Sequence, residues 1–265
     1  VHLSTDETIL TFYYDTLRAD RDGTTWGIWD RNSSSFCPAW AGDCYSPNTT
    51  VLTAVFDASF RDFRPTTTTG WFYKLTSLKS IEGLEHLNTS KVMDMEQMFS
   101  GCASLSTLDL SSFDTSWVRN MSEMFRDCAS LTTLDLSSFD TFRVTSMKSM
   151  FSGCKSLTSL DLSSFDTSDV KNMSEMFWNC ASLTTLDLSS FDTSTVTSMS
   201  RMFYGCASLT TLDLSSFDTS EVRGMGEMFY GCASLTTIWN NSTWNNSPWN
   251  CNLSRDMFAG CVSLK

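Results

Sequence analysis

Basic residues are scarce in this sequence, and they do not cluster along it. Lys and Arg total 18 against 30 Asp and Glu, so the formal net charge at pH 7 is −12. Nucleic acids and anionic membrane surfaces are bound by many Lys and Arg side chains that neutralise phosphates. The composition therefore predicts no nucleic-acid partner and is typical of a protein that meets basic partners, cations or only solvent.

Histidine is almost absent, which limits the catalytic chemistry available. The only two are His2 and His86, and neither lies near a GxSxG nucleophile motif or a phosphate-binding loop. The repeated carboxylates have identical surroundings, so they do not separate into an acid and a base. We therefore expect no enzymatic activity.

Long apolar runs are missing as well. No segment approaches the ~18 apolar residues of a membrane-spanning helix, and no basic-then-apolar leader opens the chain, so we predict no transmembrane segment. Because residues 262–265 stop in the middle of a repeat, we expect both ends to be trimmed edges of a longer protein. A composition rich in Ser, Thr, Asn and Trp but poor in Lys indicates an extracellular or cell-surface location.

One pattern recurs through most of the chain. Met-Phe pairs recur in step from Met124-Phe125 to Met228-Phe229, and six cysteines are spaced 26 residues apart. Periods of about 20 to 50 residues indicate a solenoid or an array. The recurring cysteines are Cys102, Cys128, Cys154, Cys180, Cys206 and Cys232.

Each repeat predicts a strand, a capped turn and a short helix. Residues 105–110, LSTLDL, alternate apolar and polar side chains as a half-buried strand does. Residues 111–116, SSFDTS, carry the short polar side chains that cap a helix. Stacked units would pair their strands in parallel, with right-handed crossovers. The apolar residues that follow the turn at helical spacing are Val118, Met121, Met124, Phe125 and Cys128.

These units divide the chain into two parts. Residues 71–265 are predicted to form about seven coils, the last of them irregular and truncated. Residues 1–70 do not repeat, and their strand-like segments at 9–14, 25–29 and 51–56 predict a cap over the open end of the stack. The predicted fold class is α/β: a right-handed leucine-rich-repeat solenoid with one short strand and one short helix per 26-residue coil, plus a β-rich N-terminal cap.

The string CxSLTTLDLSSFDTSxVxxMxxMFxxC, present from Cys128 through Cys232, resembles a known repeat. It is similar to the 26-residue repeat of the BspA-like leucine-rich-repeat surface proteins, and the similarity extends from Trp71 onward. Residues 55–66 also resemble the stretch that precedes the repeats in this group. The resemblance implies a surface-exposed or secreted protein of host-associated microbes, linked to adhesion or coaggregation, without catalytic residues.

A column of aspartates recurs at the outward position of each predicted strand. Like charges about 5 Å apart repel by roughly 1 kcal/mol even in water, so such a column favours screening, weak calcium binding or a basic partner. The alternative is a solvated polar face in which neighbouring Thr and Ser hydroxyls supply hydrogen bonds. The candidate ligand-binding residues of this column are Asp109, Asp135, Asp161, Asp187 and Asp213.

Aromatic residues vary at one position of the repeat. Trp178, Tyr204 and Tyr230 follow the Met-Phe pair in three successive coils, and Trp117 and Phe142 add to the variable surface elsewhere. Trp and Tyr are common anchors of protein interfaces, so the first three are candidate ligand-binding residues. The alternative is that they cover the edge of the solenoid itself.

The irregular last coil carries a second aromatic group. Trp239, Trp244 and Trp249 interleave with Asn and Ser, and aromatic planes among amides suit the stacking and hydrogen bonding of a glycan. We take these three as candidate ligand-binding residues. A cap that ends the apolar core is the competing interpretation.

The cysteines are expected to have two roles. The recurring column lies on the apolar stripe and should pack as small hydrophobic groups, and the absence of CxxC pairs argues against zinc. Cys37 and Cys44 lie in a non-repeating loop, and Cys251 and Cys261 flank the last coil, so both pairs are candidate disulfides. A bond between Cys232 and Cys251 is the alternative for the second pair.

Together these features predict a non-catalytic module for adhesion and protein interaction, cell-surface or secreted. Its partner would be an extracellular protein or glycan on a host or neighbouring cell, with no cofactor beyond weakly bound calcium. Two alternatives stay open. The near-identical coils also fit a structural spacer or filament-forming repeat unit, and the C-terminal tryptophans also fit a glycan-binding module.

Overall fold

The computed structural model describes residues 1–30, 37–42, 46–240 and 256–264. Its larger sheet has the strand order β3-β1-β2-β4-β5, in which β1 is antiparallel to β2 and β3, and the β2–β4 and β4–β5 pairs are parallel. The strands of this sheet are β1 (His2–Leu3), β2 (Ile9–Phe12), β3 (Thr24–Thr25), β4 (Thr53–Phe56) and β5 (Ser80–Glu82).

Shorter elements complete the described chain. A second sheet is the parallel pair of β6 (Thr211–Leu214) and β7 (Thr237–Asn240). Three short 3₁₀ helices are η1 (Arg18–Asp20), η2 (Ala58–Asp62) and η3 (Leu84–His86).

An aromatic cluster packs beneath the N-terminal sheet. Phe12 from β2 stacks on Phe56 from β4 with ring centroids 4.5 Å apart, and Phe60 of η2 meets both edge-on. The buried Trp40 indole donates a hydrogen bond to the carbonyl of Trp71 at 2.8 Å. Because β5 belongs to the first coil and pairs with β4, the sheet runs from the non-repeating segment into the repeats. The division at residue 70 stays a prediction.

Successive coils are tied together by backbone hydrogen bonds on the side where the helix was predicted. Residues 26 apart form isolated parallel bridges, such as Asn120 with Ser146 and Asn172 with Ser198. Within this ladder the Glu123 N–H donates to the Lys148 carbonyl of the next coil at 2.8 Å. Parallel bridges hold neighbouring coils about 4.8 Å apart on this side.

The prediction of a short helix in each coil is wrong. The described residues contain no α-helix. The segment predicted as a helix is a series of tight turns in each coil. In one coil the Met124 N–H donates to the Met121 carbonyl and the Cys128 N–H donates to the Phe125 carbonyl. Glu123 and Asp127 adopt left-handed φ values of 58° and 56°. An α-helix is about 10 Å wide, twice the spacing of the bridged coils, so it does not fit there.

The predicted strand is only partly present. Inside-outside alternation holds in the unit at residues 131–136, where Leu134 and Leu136 are buried while Thr133 and Asp135 are exposed. Among the described residues from 105 onward, regular strand pairing is confined to β6 and β7. In the four coils before β6 the bridges lie on the turn side instead. The handedness of the coils stays a prediction.

Two internal columns account for the stacking. Phenylalanine rings one coil apart stack with centroids 5.3–5.8 Å apart and planes within 10° of parallel. These rings belong to Phe72, Phe99, Phe125, Phe151, Phe177, Phe203, Phe229 and Phe258. The second column, the threonine spine, is at most 2% exposed and consists of Thr89, Thr115, Thr141, Thr167, Thr193 and Thr219.

The spine hydroxyls from Thr89 to Thr193 each join two coils. Thr141 donates to the Asp166 carbonyl at 2.8 Å and accepts from the Asp166 N–H at 2.8 Å. Thr115 makes the same pair of bonds with Asp140. A buried hydroxyl therefore satisfies a backbone donor and a backbone acceptor that no strand pairing reaches.

Candidate functional site

The aspartate column forms an exposed surface, which we call the acidic face. Its residues are Asp109, Asp135, Asp161, Asp187 and Asp213. Each Oδ1 accepts the backbone N–H of the serine two residues later at 2.9–3.0 Å. Hydrogen bonds from Ser163 lower the pKa of Asp161. The pKa values of the other four aspartates are lowered in the same way by the serine two residues later. The aspartates therefore shape the local turns and stay ionised at neutral pH.

A groove crosses the acidic face near its C-terminal end. Its volume is about 510 Å³, and it is lined by Asp161, Asp187 and Asp213 together with hydroxyl side chains and Trp239. The register of β6 and β7 places Trp239 beside Asp213, and its side chain is 51% exposed. The structure thus joins one predicted tryptophan to the predicted aspartates. Trp244 and Trp249 lie outside the described residues.

The variable aromatics form a second surface, the aromatic strip of Trp178, Tyr204 and Tyr230. The Trp178 and Tyr204 rings stack at 5.9 Å with planes 25° apart, and Tyr204 and Tyr230 stack at 4.7 Å and 8°. Trp178 and Tyr204 are half-buried, and Tyr230 is 38% exposed. The strip therefore presents a continuous aromatic edge across three coils.

The backbone holds the strip in place. The backbone carbonyl of each strip residue accepts a hydrogen bond of 2.7 Å from an N–H group of the preceding coil. The donors are Gly153 for Trp178, Asn179 for Tyr204 and Gly205 for Tyr230. Gly205 has φ of 69°, and a Cβ on it would collide with Oδ1 of Asn179, so the residue next to Tyr204 has no room for a side chain. The strip and the groove share no lining residue and are separate surfaces.

The cysteine column packs inside the coils. Its six members are at most 1% exposed, and each thiol donates to a phenylalanine carbonyl of the preceding coil, as Cys128 does to Phe99 at 3.1 Å. Burial raises the pKa of Cys154 to about 12, so the thiol stays neutral. In the described part of the chain no group of three His, Cys, Asp or Glu residues is arranged to hold a metal ion.

The candidate disulfides stay predictions. Cys37 is buried and Cys261 is half-buried, while Cys44 and Cys251 lie outside the described residues. The Cys261 thiol donates to the Phe229 carbonyl at 2.9 Å, as the Cys232 thiol does to Phe203 at 3.0 Å. Cys261 therefore continues the packed column.

Two features escaped the sequence analysis. The threonine spine recurs with the same period as the cysteines but lies within a segment interpreted as a helix cap. An exposed Trp117 carries the Arg143 guanidinium over its ring at 4.9 Å, and Phe142 beside it is 55% exposed. The pairing was hidden because Trp117 and Arg143 are one full coil apart in sequence.

Several known structures are similar to this chain. The crystal structure of the T. pallidum leucine-rich repeat protein TpLRR is 19% identical, with a TM-score of 0.42, over 81% of this chain and 78% of that chain. A leucine-rich cell surface protein from Faecalibacterium prausnitzii A2-165 is 18% identical, with a TM-score of 0.37, over 82% of this chain and 66% of that chain. A TLR13–ssRNA13 complex is 22% identical, with a TM-score of 0.39, over 85% of this chain.

The chain spans only 31% of that TLR13 chain and less than two thirds of the Faecalibacterium protein. No curated protein matches the sequence. None of the helices among the described residues has the length and the apolar content of a membrane span.

A family model accounts for the repeats. It matches residues 66–182 and 158–265 and is described as "Mycoplasma protein of unknown function, DUF285". These two matches include every 26-residue unit in which the string CxSLTTLDLSSFDTSxVxxMxxMFxxC was found. The resemblance to the BspA-like leucine-rich-repeat surface proteins is confirmed, and the chain belongs to the DUF285 family.

Proposed function

We propose that this chain is a non-catalytic interaction module of a cell-surface or secreted protein, and that it mediates adhesion by binding an extracellular protein. The observation that carries the proposal is the aromatic strip of Trp178, Tyr204 and Tyr230, stacked at 4.7–5.9 Å at an otherwise variable position of the repeat. Core positions of the same coils hardly vary. Variation at a partly exposed position beside a nearly invariant core is what a recognition surface requires.

The physical chemistry of the strip supports binding. Stacked rings on a hydrogen-bonded backbone lose little conformational entropy when a partner covers them. Tyr and Trp offer large apolar faces with a polar group at the rim, so they bind without needing a deep pocket. Aromatic anchors of this kind typically contribute about 2 kcal/mol or more each when they are truncated.

The test is adhesion of the purified chain to a panel of extracellular-matrix proteins, glycans and whole cells, with and without calcium. Replacing Trp178, Tyr204 and Tyr230 by Ala should weaken binding at least about 30-fold, the equivalent of one aromatic anchor. The matched control is Tyr14→Ala with Trp29→Ala, because both side chains are 53% exposed on the N-terminal part. Undiminished binding by the triple variant would reject the strip as the site, and no binding by the wild type would favour a spacer or filament unit.

Non-catalytic function is supported by the state of the titratable groups. His86 contacts the Phe56 carbonyl through Nδ1 at 2.9 Å and Arg61 through Nε2 at 2.8 Å, so both ring nitrogens have structural partners. The buried thiols are neutral and closed to solvent. The partner is not nucleic acid, because a chain of net charge −12 repels phosphates.

A glycan is a second candidate ligand, favoured by the groove on the acidic face. Trp239 is 51% exposed at one wall, and Ser159 and Thr185 add hydroxyl groups to the lining. We propose a neutral sugar stacked on Trp239 with hydrogen bonds to Asp187 and Asp213. Trp239→Ala should abolish glycan-array signals without affecting protein partners, and a wild-type fluorescence that glycans leave unchanged would contradict this site.

No cofactor is needed for either role. We propose that calcium binds the acidic face only weakly, because each carboxylate already uses one oxygen for its own turn. Isothermal titration of calcium into the wild type and an Asp161→Asn Asp187→Asn variant tests this. Tight calcium binding to the wild type that the variant loses would contradict it.

A further inference from the structure

Several cations of the repeats line one edge of the solenoid, which we call the cationic edge. Arg119, Lys171 and Arg223 are exposed and occupy the same position of alternate coils. A backbone ladder links their coils: the Thr145 N–H donates to the Arg119 carbonyl and the Lys171 N–H to the Thr145 carbonyl, both at 2.8 Å, and the ladder continues to Arg223. At about 4.8 Å per coil, these cations recur about every 10 Å.

The edge also carries exposed apolar groups. Trp117 is 46% exposed, Phe142 is 55% exposed and Met93 is 45% exposed. Arg143 covers the Trp117 ring at 4.9 Å, a cation–π contact typical of recognition surfaces. Among the described residues, Arg119 and Arg143 form no ion pair, whereas Arg126 and Arg201 on the turn side pair with glutamates.

The two rows of charge on this molecule span the same number of coils. Asp109 to Asp213 and Arg119 to Arg223 each extend over 104 residues, which is four coils of the same 26-residue period. A cation at every second coil on one copy therefore falls in register with alternate aspartates on another copy. Both rows follow the same 26-residue repeat, so this match holds along four coils.

We propose that the cationic edge of one copy docks on the acidic face of a second copy. Asp169 and Glu221 lie two residues before Lys171 and Arg223 and reduce the positive charge there, so the contact centres on Arg119, Arg143 and Trp117. An edge-to-face contact leaves one edge and one face free at the ends of each pair. Such a heterologous contact propagates into open chains of copies. This association is independent of the aromatic strip.

Sedimentation velocity across a wide range of protein concentrations tests the proposal. The wild type should show concentration-dependent association that weakens as the Debye length falls from about 10 Å at 0.1 M salt to about 3 Å at 1 M. The edge variant Arg119→Glu Arg143→Glu should lose association. Its charge-matched control, Arg64→Glu Lys155→Glu, changes two exposed cations away from the edge and should retain it.

Charge exchange makes the test specific. The face variant Asp161→Lys Asp187→Lys should be monomeric alone, and mixing it with the edge variant should restore association, because each reversed surface then meets its complement. Asp161→Asn Asp187→Asn keeps the acceptor oxygens of the turns and should also weaken association at least about tenfold. A wild type that is monomeric at every concentration, or an edge variant that associates as well as its control, would overturn the proposal.

Discussion

A valine in the threonine spine should lower the stability of the protein, although hydrophobic burial alone would predict a gain. Thr141 is 1% exposed, and valine has nearly the same shape, so Thr141→Val leaves no cavity and adds apolar surface to the interior. It also removes the hydroxyl that accepts the Asp166 N–H and donates to the Asp166 carbonyl, both at 2.8 Å. Leaving partly buried backbone groups without partners costs about 1–3 kcal/mol. We expect Thr141→Val to lower the free energy of unfolding by about 2 kcal/mol.

The matched substitution is Thr141→Ser, which keeps both hydrogen bonds and loses one methyl group, at a cost of about 1 kcal/mol. Thr145→Val is the surface control, since Thr145 is exposed and its hydroxyl bonds one carbonyl at 3.1 Å. Urea unfolding followed by circular dichroism gives the free energies, with unchanged m-values as evidence of the same transition. If Thr141→Val proved as stable as the wild type while Thr141→Ser was less stable, the spine would stabilise the protein by packing and not by hydrogen bonding.

Three further predictions concern the core and the acidic face. Phe151→Ala removes a fully buried ring that stacks on both neighbours, and it should cost about 3–5 kcal/mol in urea unfolding, whereas Phe142→Ala on the surface should cost under about 0.5 kcal/mol. Cys154 should resist iodoacetamide at pH 8 in the folded protein and react in urea, because its pKa is raised to about 12; rapid labelling of the native state would contradict its burial. The pKa of Asp161 is lowered in the folded state, so its ionised form contributes stability that is full above the unfolded-state pKa near 4 and is lost as pH falls through the folded-state pKa. The urea midpoint should therefore drop in acid, and it should drop less in Asp161→Asn. Equal acid sensitivity of the two proteins would contradict that contribution.

The sequence was sufficient to predict which residues of each coil face inward. Met121, Met124, Phe125 and Cys128 are all buried, as their spacing indicated. It was not sufficient to predict the backbone that buries them. Consecutive tight turns advance three residues at a time, and over eleven residues this spacing cannot be distinguished from the 3.6-residue period of a helix. No glycine marks the left-handed position of Glu123, so the usual signal of such a turn is missing.

The surfaces were predictable to different degrees. The aromatic strip and the acidic face follow from residues that share a position in the repeat, because stacking places such residues side by side. Trp239 lies one 26-residue period after Asp213, at the outward Asp position of its coil, so its place beside that aspartate also follows from the repeat, and β6 and β7 pair in that register. The cationic edge was missed because its arginines and lysine lie 52 residues apart, so no local cluster of charge reveals them.

The central claim, that the chain binds a macromolecular partner through the aromatic strip, is tested most directly by one titration. The highest-affinity partner from the binding panel is titrated side by side against the wild type, the Trp178→Ala Tyr204→Ala Tyr230→Ala variant and the Tyr14→Ala Trp29→Ala control. We predict that the strip variant binds at least about 30-fold more weakly while the control binds as the wild type does. Equal affinities for all three proteins would contradict the claim.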